Sequence, residues 1–280
     1  MQDKQRLVIA LAGNPNCGKT TLFNSLTGST AYVGNWPGVT VEKRQGSYRN
    51  RKTKEVIDVV DLPGIYSLSP YTPEEIISRD FIIDQRPDVV INVIDSTNLE
   101  RNLYMTTQIL EMDVPVVVAL NMTDVLERDG QSIDTVELSK ALGCPVVAIS
   151  ALHQRNLDVL MAAASKAASA PRKGSSLLEK GSHAKLIGEA KQIAIDDGVT
   201  HPVYHAIKAL ENDEIEAQRH PEFVEKVQGL LKKNNVSDFE AISADERYQY
   251  IGKHYAKARH GKKVSKRKAD ALGQNRPGLD

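Results

Sequence analysis

The chain has 280 residues, enough for two domains, and its hydrophobic share of 41% is ordinary for a soluble globular protein. No apolar run approaches the ~18 residues that a membrane span requires, and the N-terminus lacks the apolar segment of a signal peptide. The only cysteines, Cys17 and Cys144, exclude a disulfide framework and are typical of a reducing compartment.

The net charge of zero hides an uneven distribution along the chain. The segment Lys253–Lys268 holds eight Lys or Arg residues and no acid, so the rest of the chain has a formal charge of −8. This pattern indicates an anionic surface near the C-terminal end, which the charge alone leaves open as a membrane, a nucleic acid or a partner protein.

Strand-like and helix-like patterns alternate over residues 1–170. The predicted strands are Leu7–Ala12, Thr40–Tyr48, Glu55–Asp61, Val89–Asp95, Pro115–Asn121 and Pro145–Ser150. Helical periodicity occurs at Thr20–Leu26, Pro73–Asp84, Leu99–Met112, Thr135–Leu142 and Leu157–Ala168. Five of the strands are nearly continuous apolar runs, whereas the second alternates as an edge strand does. The order predicts an α/β fold with a doubly wound, mostly parallel six-stranded sheet.

Residues 171–176 have the composition of a linker, and the pattern after them is helical throughout. The predicted helices there are Leu177–Ile195, Pro202–Leu210, Pro221–Lys232 and Asp238–Ala258. We therefore expect a first domain at 1–170, a linker at 171–176, a small all-helical domain at 177–260 and a basic tail at 261–280.

The segment from Gly13 to Thr20 fits the pattern G-x-x-x-x-G-K-[ST], whose backbone N–H groups cradle nucleotide phosphates. It lies between a predicted strand and a predicted helix, which favours a binding loop over a glycine-rich turn. Lys19 is expected to reach the β- and γ-phosphates, and the Thr20 hydroxyl to bind Mg²⁺. The predicted phosphate-binding residues are Gly13, Asn14, Pro15, Asn16, Cys17, Gly18, Lys19, Thr20 and Thr21.

Asp61-Leu62-Pro63-Gly64 follows the third predicted strand. An acid at this position can hold Mg²⁺, directly or through a water, and Gly64 lets its N–H approach a γ-phosphate closely. Asp, Pro and Gly are also turn residues, so the segment by itself fits a surface turn equally well. After a phosphate-binding loop, it indicates a second part of the same site.

Two further segments predict recognition of the base. Asn121-Met122-Thr123-Asp124 follows a strand, and the Asp124 carboxylate can accept hydrogen bonds from N1–H and the 2-amino group of guanine, which adenine cannot offer. Ser150-Ala151-Leu152 follows the last strand, where backbone N–H groups can meet the guanine O6 atom. The expected ligand is therefore GTP or GDP.

A long loop rich in glycine and turn residues joins the first helix to the edge strand, and a loop of this length is typical of a functional segment. Gly38, Val39 and Thr40 are predicted nucleotide contacts, with the Thr40 hydroxyl as a second Mg²⁺ ligand. Trp36, the only tryptophan, lies in this loop. Whether it belongs to a mobile segment or is a packing anchor stays open at this point.

Together these motifs resemble a small GTPase, and more narrowly the ferrous iron transport protein B family. The family match is carried by Gly13–Asn24, Val33–Glu42, Asp61–Leu68 and Asn98–Tyr104. The resemblance implies a GTPase domain followed by a helical subdomain that is similar to a nucleotide-dissociation inhibitor. In the family a membrane permease follows these parts, so we expect the chain to be a soluble part of such a protein.

That location would be the cytoplasmic face of a bacterial inner membrane, with the tail at 261–280 beside anionic headgroups. The basic tail has no interleaved aromatic residues, so no nucleic acid is expected as a partner. A soluble ribosome- or RNA-associated GTPase remains the alternative, and a binding switch with incidental hydrolysis is a third. The membrane context makes a homo-oligomer an expectation as well.

Ile65 stands where many GTPases carry a glutamine that orients the attacking water, and an apolar side chain cannot do this. The resemblance implies instead that Asn16 helps to bind K⁺ beside the phosphates, with the carbonyl groups of Gly34 and Trp36 completing its shell. The hypothesis is K⁺-stimulated hydrolysis of GTP. Its catalytic residues are Asn16, Lys19, Thr40 and Gly64, and its cofactors are Mg²⁺ and K⁺.

His201 and His205 are spaced as two metal ligands on one helix face would be. No acid or cysteine pattern nearby supports a metal site, so the sequence gives no reason to predict one.

Overall fold

A seven-stranded sheet forms the centre of the protein in a computed structural model that describes residues 6–28, 31–51 and 53–261. The strands are β1 Val8–Gly13, β2 Tyr32–Asn35, β3 Glu42–Arg49, β4 Val56–Asp61, β5 Val89–Asp95, β6 Val116–Asn121 and β8 Val146–Ala148. The short strands β7 Ser132–Ile133 and β9 Arg259–His260 form a separate antiparallel ladder. The predicted basic tail, from residue 262 onward, lies outside the described residues.

The strand order in the sheet is β2-β3-β4-β1-β5-β6-β8. All pairs are parallel except β2–β3 and β3–β4, which confirms the mostly parallel doubly wound α/β sheet. The prediction of six strands was one too few, because β2 lies in the segment predicted as a loop. Its side chains at Tyr32 and Val33 are 69% and 56% exposed, so the strand has no buried face that would give an alternating pattern.

The helices around the sheet are α1 Lys19–Thr27, α2 Pro73–Asp80, α3 Leu99–Ile109, α4 Thr123–Arg128, α5 Thr135–Leu142 and α6 Leu157–Ala168. Those that follow are α7 Ala184–Asp196, α8 Pro202–Leu210, α9 Glu214–Arg219, α10 Pro221–Lys233 and α11 Phe239–Tyr250. No helix of the described residues is long and apolar enough to span a bilayer. We call residues 177–258 the helical region.

Several helices depart from their predicted bounds. The predicted helix Leu177–Ile195 is divided at Gly181 into a 3₁₀ turn, Leu177–Lys180, and α7. Helix α2 is followed directly by a π-helical turn at Phe81–Gln85, and α11 by another at Ile251–Tyr255. Helices α4 and α9 are too short to show a periodic apolar face.

Two apolar clusters cover the two faces of the sheet, and a third fills the helical region. The first cluster is shared, because Tyr204, Ile251 and Tyr255 of the helical region pack with residues of the sheet and of α3. The helical region is therefore joined to the sheet through a common core.

The predicted linker packs closely on the C-terminal end of α3. A Cβ atom at Gly174 would lie 1.9 Å from the carbonyl oxygen of Glu111, so the approach depends on glycine. The Gly174 N–H donates to Asp113, and the Arg172 guanidinium donates to the carbonyl groups of Leu110 and Met112. The segment at 171–176 is thus held in place by hydrogen bonds at both its ends.

Candidate nucleotide-binding site

The site lies at the carboxyl ends of the parallel strands, where β1 has β4 on one side and β5 on the other. Successive connections run to opposite sides of β1, and such a switch point leaves a crevice at the strand ends. Four of the predicted motifs follow β1, β4, β6 and β8, so the topology brings them to one edge of the sheet.

The phosphate-binding loop depends on glycine at two positions. A Cβ atom at Gly13 would lie 2.6 Å from the carbonyl oxygen of Val93, and one at Gly18 would lie 2.2 Å from Nδ2 of Asn121. Gly18 also has a left-handed φ of 85°, and Asn16 has a φ of 64°. Glycine and asparagine are the residues that adopt this conformation most readily. The loop then enters α1 at Lys19, and the first N–H groups of a helix have no partner within the helix, which favours binding of an anion there.

Lys19 and Asp61 form a buried ion pair at the mouth of the loop, with side chains 9% and 5% exposed. Burial raises the pKa of the Asp61 carboxyl, and the Lys19 ammonium partly offsets this shift. The pair joins the two predicted phosphate motifs, so the ammonium group lies where a phosphate would be bound.

The segment after Asp61 lies directly on the loop. A Cβ atom at Gly64 would lie 3.3 Å from the backbone of Pro15, and the Ile65 N–H donates to the carbonyl of Gly13 over 3.2 Å. The Ile65 side chain is only 3% exposed and belongs to the core. It therefore does not face a water at the phosphate position.

Asn121 connects the two halves of the site. Its Nδ2 donates to the Cys17 carbonyl over 2.9 Å, and its Oδ1 accepts from the Ala151 N–H over 2.9 Å. One buried amide therefore fixes the phosphate-binding loop relative to the segment predicted to meet the base. The predicted motif contained Asn121, but its sequence gave no sign of this bridging role.

Asp124 lies in the first turn of α4 with its carboxylate partly exposed. A hydrogen bond from the Ser150 hydroxyl is the main cause that lowers its pKa, and His153 lies 3.6 Å away. The carboxylate is thus ionised and able to accept hydrogen bonds from a base. Met122 adopts a left-handed φ of 62° before α4, and Leu152 is 74% exposed.

The segment from Gly34 to Thr40 forms a hairpin with β3. The Trp36 N–H donates to Val41, and the Val39 N–H donates to the Trp36 carbonyl. Gly38, Val39 and Thr40 are exposed at its tip. No hydrogen bond between them and the phosphate-binding loop is present in the described part of the chain.

Trp36 is 8% exposed and packs edge-to-face on Phe81, with ring centroids 5.5 Å apart. Lys43 lies over the same ring at 4.9 Å. This contact favours the packing-anchor interpretation of Trp36 over that of a side chain in a mobile loop.

The oxygen groups here suit Mg²⁺, because a carboxylate (Asp61) and hydroxyl groups (Thr20 and Thr40) are the hard ligands that this ion prefers. Asp61 ends β4 and pairs with Lys19, the residue next to Thr20 at the start of α1. Thr40 lies on the hairpin tip and would have to approach them.

The thiol of Cys17 is buried in the loop, and burial raises its pKa to about 11. A thiol with such a pKa is not a nucleophile at neutral pH. Cys17 therefore serves as a small side chain whose carbonyl group accepts the Asn121 hydrogen bond.

Residues 7–164 match the family model described as "Ferrous iron transport protein B". The chain belongs to this family. Curated relatives include an Fe(2+) transporter FeoB of Salmonella typhimurium, 47% identical over 160 residues, which are 56% of this chain and 20% of the relative. An Fe(2+) transport protein A/FeoB fusion protein of Porphyromonas gingivalis is 53% identical over 140 residues, which are 50% and 16% of the two chains. The chain thus matches about a fifth or less of these relatives' length.

Solved FeoB structures cover 91% of this chain. A GDP-bound variant of the S. thermophilus FeoB G-domain is 40% identical, with a TM-score of 0.81 and 100% of that chain covered. The cytosolic domain of L. pneumophila FeoB is 36% identical, with a TM-score of 0.80 and the same coverage. Because this coverage exceeds the matched family segment, the fold similarity includes helices beyond residue 164.

Proposed function

We propose that the chain binds GTP with Mg²⁺ and hydrolyses it, and that in its family context this regulates uptake of ferrous iron through a membrane permease. The observation that carries the proposal is the Asn121 bridge, because it holds the phosphate-binding loop and the base segment at a fixed separation. The GDP-bound state of the similar S. thermophilus domain supports the choice of a guanine nucleotide.

The groups that promote hydrolysis are Lys19, the Gly64 N–H and the Thr40 hydroxyl, and the side chain of residue 65 takes no part. Lys19 exchanges its partner from Asp61 to the phosphates, which leaves the Asp61 carboxylate available to Mg²⁺. The bound Mg²⁺ supplies charge that neutralises the β- and γ-phosphate oxygens. We expect the backbone N–H of Gly64 to donate to the terminal phosphate, since Gly64 lies close to Pro15 of the phosphate-binding loop.

K⁺ stimulation is the finer part of the proposal. The Asn16 side chain is exposed beside the phosphate-binding loop, so its amide oxygen is available to a monovalent cation. The Trp36 carbonyl already accepts a hydrogen bond from Val39, and Gly34 pairs with Lys43 in the β2–β3 ladder. Completing a K⁺ shell with these two carbonyl groups therefore requires the hairpin to rearrange when the nucleotide binds.

The test is GTP turnover by the chain in K⁺ and in Na⁺ at equal ionic strength. We expect faster turnover in K⁺, and loss of this difference in Asn16→Ala. Asn24→Ala is the matched control, because Asn24 is an exposed asparagine of α1 outside the loop. Equal rates in K⁺ and Na⁺ for the unmodified chain, or a K⁺ response that persists in Asn16→Ala, would contradict the role of K⁺.

The transport role is tested in the full-length protein reconstituted in vesicles. We expect Fe²⁺ uptake to depend on GTP and to be lost in Lys19→Met. Uptake that is unchanged by this substitution would contradict the regulatory role while leaving nucleotide binding by the domain intact.

A further inference from the structure

The helical region contains three metal-ligating side chains that the nucleotide site does not use. His205 of α8, Glu216 of α9 and His220 between α9 and α10 each place a ligand atom within 4.8 Å of the others. Nδ1 of His205 lies 2.7 Å from Oε2 of Glu216, and Nε2 of His220 lies 4.0 Å from Oε1 of the same carboxylate. The carboxylate is therefore shared between two imidazole rings.

One atom at the centre of this cluster lacks a partner. Glu216 is fully buried, and its Oε1 atom accepts no hydrogen bond from any of the described residues. An ionised carboxylate oxygen left unpaired in the interior carries a large desolvation cost. A cation bound between Oε1 and the nearby His220 nitrogen would remove this cost.

Among the described residues, acidic side chains outnumber lysine and arginine side chains in the buried network around Glu216. Lys208 contacts Glu211 and Asp213, Arg79 contacts Asp213 and Glu216, and Arg247 contacts Glu111 and Glu211. Three lysine or arginine side chains thus face four carboxyl groups, a balance that favours a further cation in this interior.

Two arginines lie near the cluster. Arg79 makes two hydrogen bonds to Asp213, at 2.8 and 3.0 Å, and a third to Oε2 of Glu216 at 3.1 Å, so a bound cation would use Oε1 of this carboxylate. Arg219, next to His220 in the chain, is directed to Asp80 at 2.8 Å, outside the cluster.

We propose that His205, Glu216 and His220 form a binding site for one divalent first-row transition-metal ion. Two imidazole nitrogens and one carboxylate suit Zn²⁺ and Fe²⁺, whereas Mg²⁺ prefers a set made only of oxygen ligands. The site is separate from the nucleotide site and does not depend on the function proposed above.

Access to the site is through His220, whose side chain is 35% exposed. A groove of about 400 Å³ lies beside it and is lined in part by Glu222, Lys226 and Asp197, the last two of which form an ion pair at 2.6 Å.

His201 lies one helical turn before His205, with ring centroids 6.3 Å apart, but it is not a member of this cluster. Its Nδ1 accepts a hydrogen bond from the Asp113 N–H over 2.8 Å.

The test is titration of the nucleotide-free chain, without an affinity tag, with Co²⁺ as a spectroscopic probe in excess Mg²⁺. Excess Mg²⁺ occupies oxygen sites such as that of Asp61. We expect one Co²⁺ per chain with visible absorption bands of nitrogen and oxygen ligation, and displacement by Zn²⁺ and by Fe²⁺ under anaerobic conditions.

Two variants test the ligands, and a third is their control. Glu216→Gln and His220→Gln are expected to weaken Co²⁺ binding by about tenfold or more, since even supporting contacts at metal sites are worth roughly 10–100-fold. His183→Gln is the matched control, because His183 pairs with Glu246 at 3.2 Å but forms no cluster of three ligands. Its binding should equal that of the unmodified chain.

If Glu216→Gln does not fold, His220→Gln still tests the site. His220 is partly exposed, so replacing it leaves the buried network intact. Absence of saturable Co²⁺ binding would overturn the proposal and leave His205 and Glu216 as a hydrogen-bonded pair. Equal weakening in His183→Gln and His220→Gln would overturn it too, because binding would then be adventitious at surface histidines.

Discussion

Two of the buried ion-pair systems in the described residues differ in construction. Lys19 and Asp61 form a single pair at the open edge of the sheet, where each has few other partners. Arg79 belongs to α2, and its guanidinium donates two hydrogen bonds to Asp213 and one to Glu216 in the helical region. Its side chain and both carboxylates are at most 2% exposed.

This difference indicates which of the two ion-pair systems can exchange partners. A single pair next to a ligand crevice can give its ammonium group to a phosphate, because only one contact has to break. A guanidinium with three hydrogen bonds in the interior cannot leave without stranding two carboxylates. The first arrangement suits ligand binding, and the second joins α2 to the helices.

The largest expected effect is that of Arg79→Met. Removing the guanidinium strands two buried carboxylates, which should lower the free energy of unfolding by about 3–5 kcal/mol. Urea unfolding followed by circular dichroism measures the change. Arg219→Met, at a side chain 32% exposed, is the control and should cost at most about 1 kcal/mol. Equal losses in the two variants would contradict the structural role assigned to Arg79.

Lys19→Met should act on the ligand rather than on the fold. Losing charge-assisted hydrogen bonds to the phosphates should weaken GTP binding by about a hundredfold, measured by fluorescence of a labelled nucleotide. Stability should fall by only about 1 kcal/mol, because the Asp61 carboxyl at the open edge can take up a proton. Lys140→Met, at an exposed lysine, is the control for both measurements. A stability loss as large as that of Arg79→Met would remove the distinction between the two pairs.

Asp124→Asn tests the base end of the same edge. The amide replaces one acceptor with a donor, which mismatches guanine and suits a base with a carbonyl group at position 2. GTP affinity should fall by about tenfold or more while affinity for xanthosine triphosphate rises. Asp129→Asn, at an exposed aspartate that ends α4, should change neither. Parallel losses for both nucleotides would show that Asp124 only supports the fold.

The smallest effect concerns pH and Asp61. Burial raises the pKa of this carboxyl above its value in the unfolded chain, so its ionised form opposes folding at neutral pH. The free energy of unfolding of the unmodified chain should therefore rise, relative to that of Asp61→Asn, as pH falls through the raised pKa and the carboxyl becomes protonated. Urea unfolding of both chains over a pH series checks this, and a difference that moves in favour of Asp61→Asn on acidification would have the wrong sign.

Local sequence patterns predicted the parallel strands and the loop after β1, because continuous apolar runs and fixed glycine positions are local signals. They did not predict β2, since Tyr32 and Val33 are exposed and show no alternation. The contact of Trp36 with Phe81 was left open for a related reason, because packing between distant segments has no signature in either one.

The His205 cluster illustrates the same limit. His201 and His205 were visible as a pair, but no acid nearby in the sequence supported a metal. The carboxylate near His205 comes from α9, eleven residues later, and the third member of the cluster is His220 rather than His201. Spacing within one helix cannot show such a grouping, because its members come from three different segments of the chain.

The helical region is attached to the preceding part of the chain at both of its ends. Gly174 closes on Glu111 where the chain enters it, and β9 pairs with β7 where the chain returns. Closing these ends costs loop entropy, which the contacts of the shared core offset only while both parts are folded. The two parts should consequently unfold in one cooperative transition, with coincident curves from a probe at Trp36 and from helical circular dichroism.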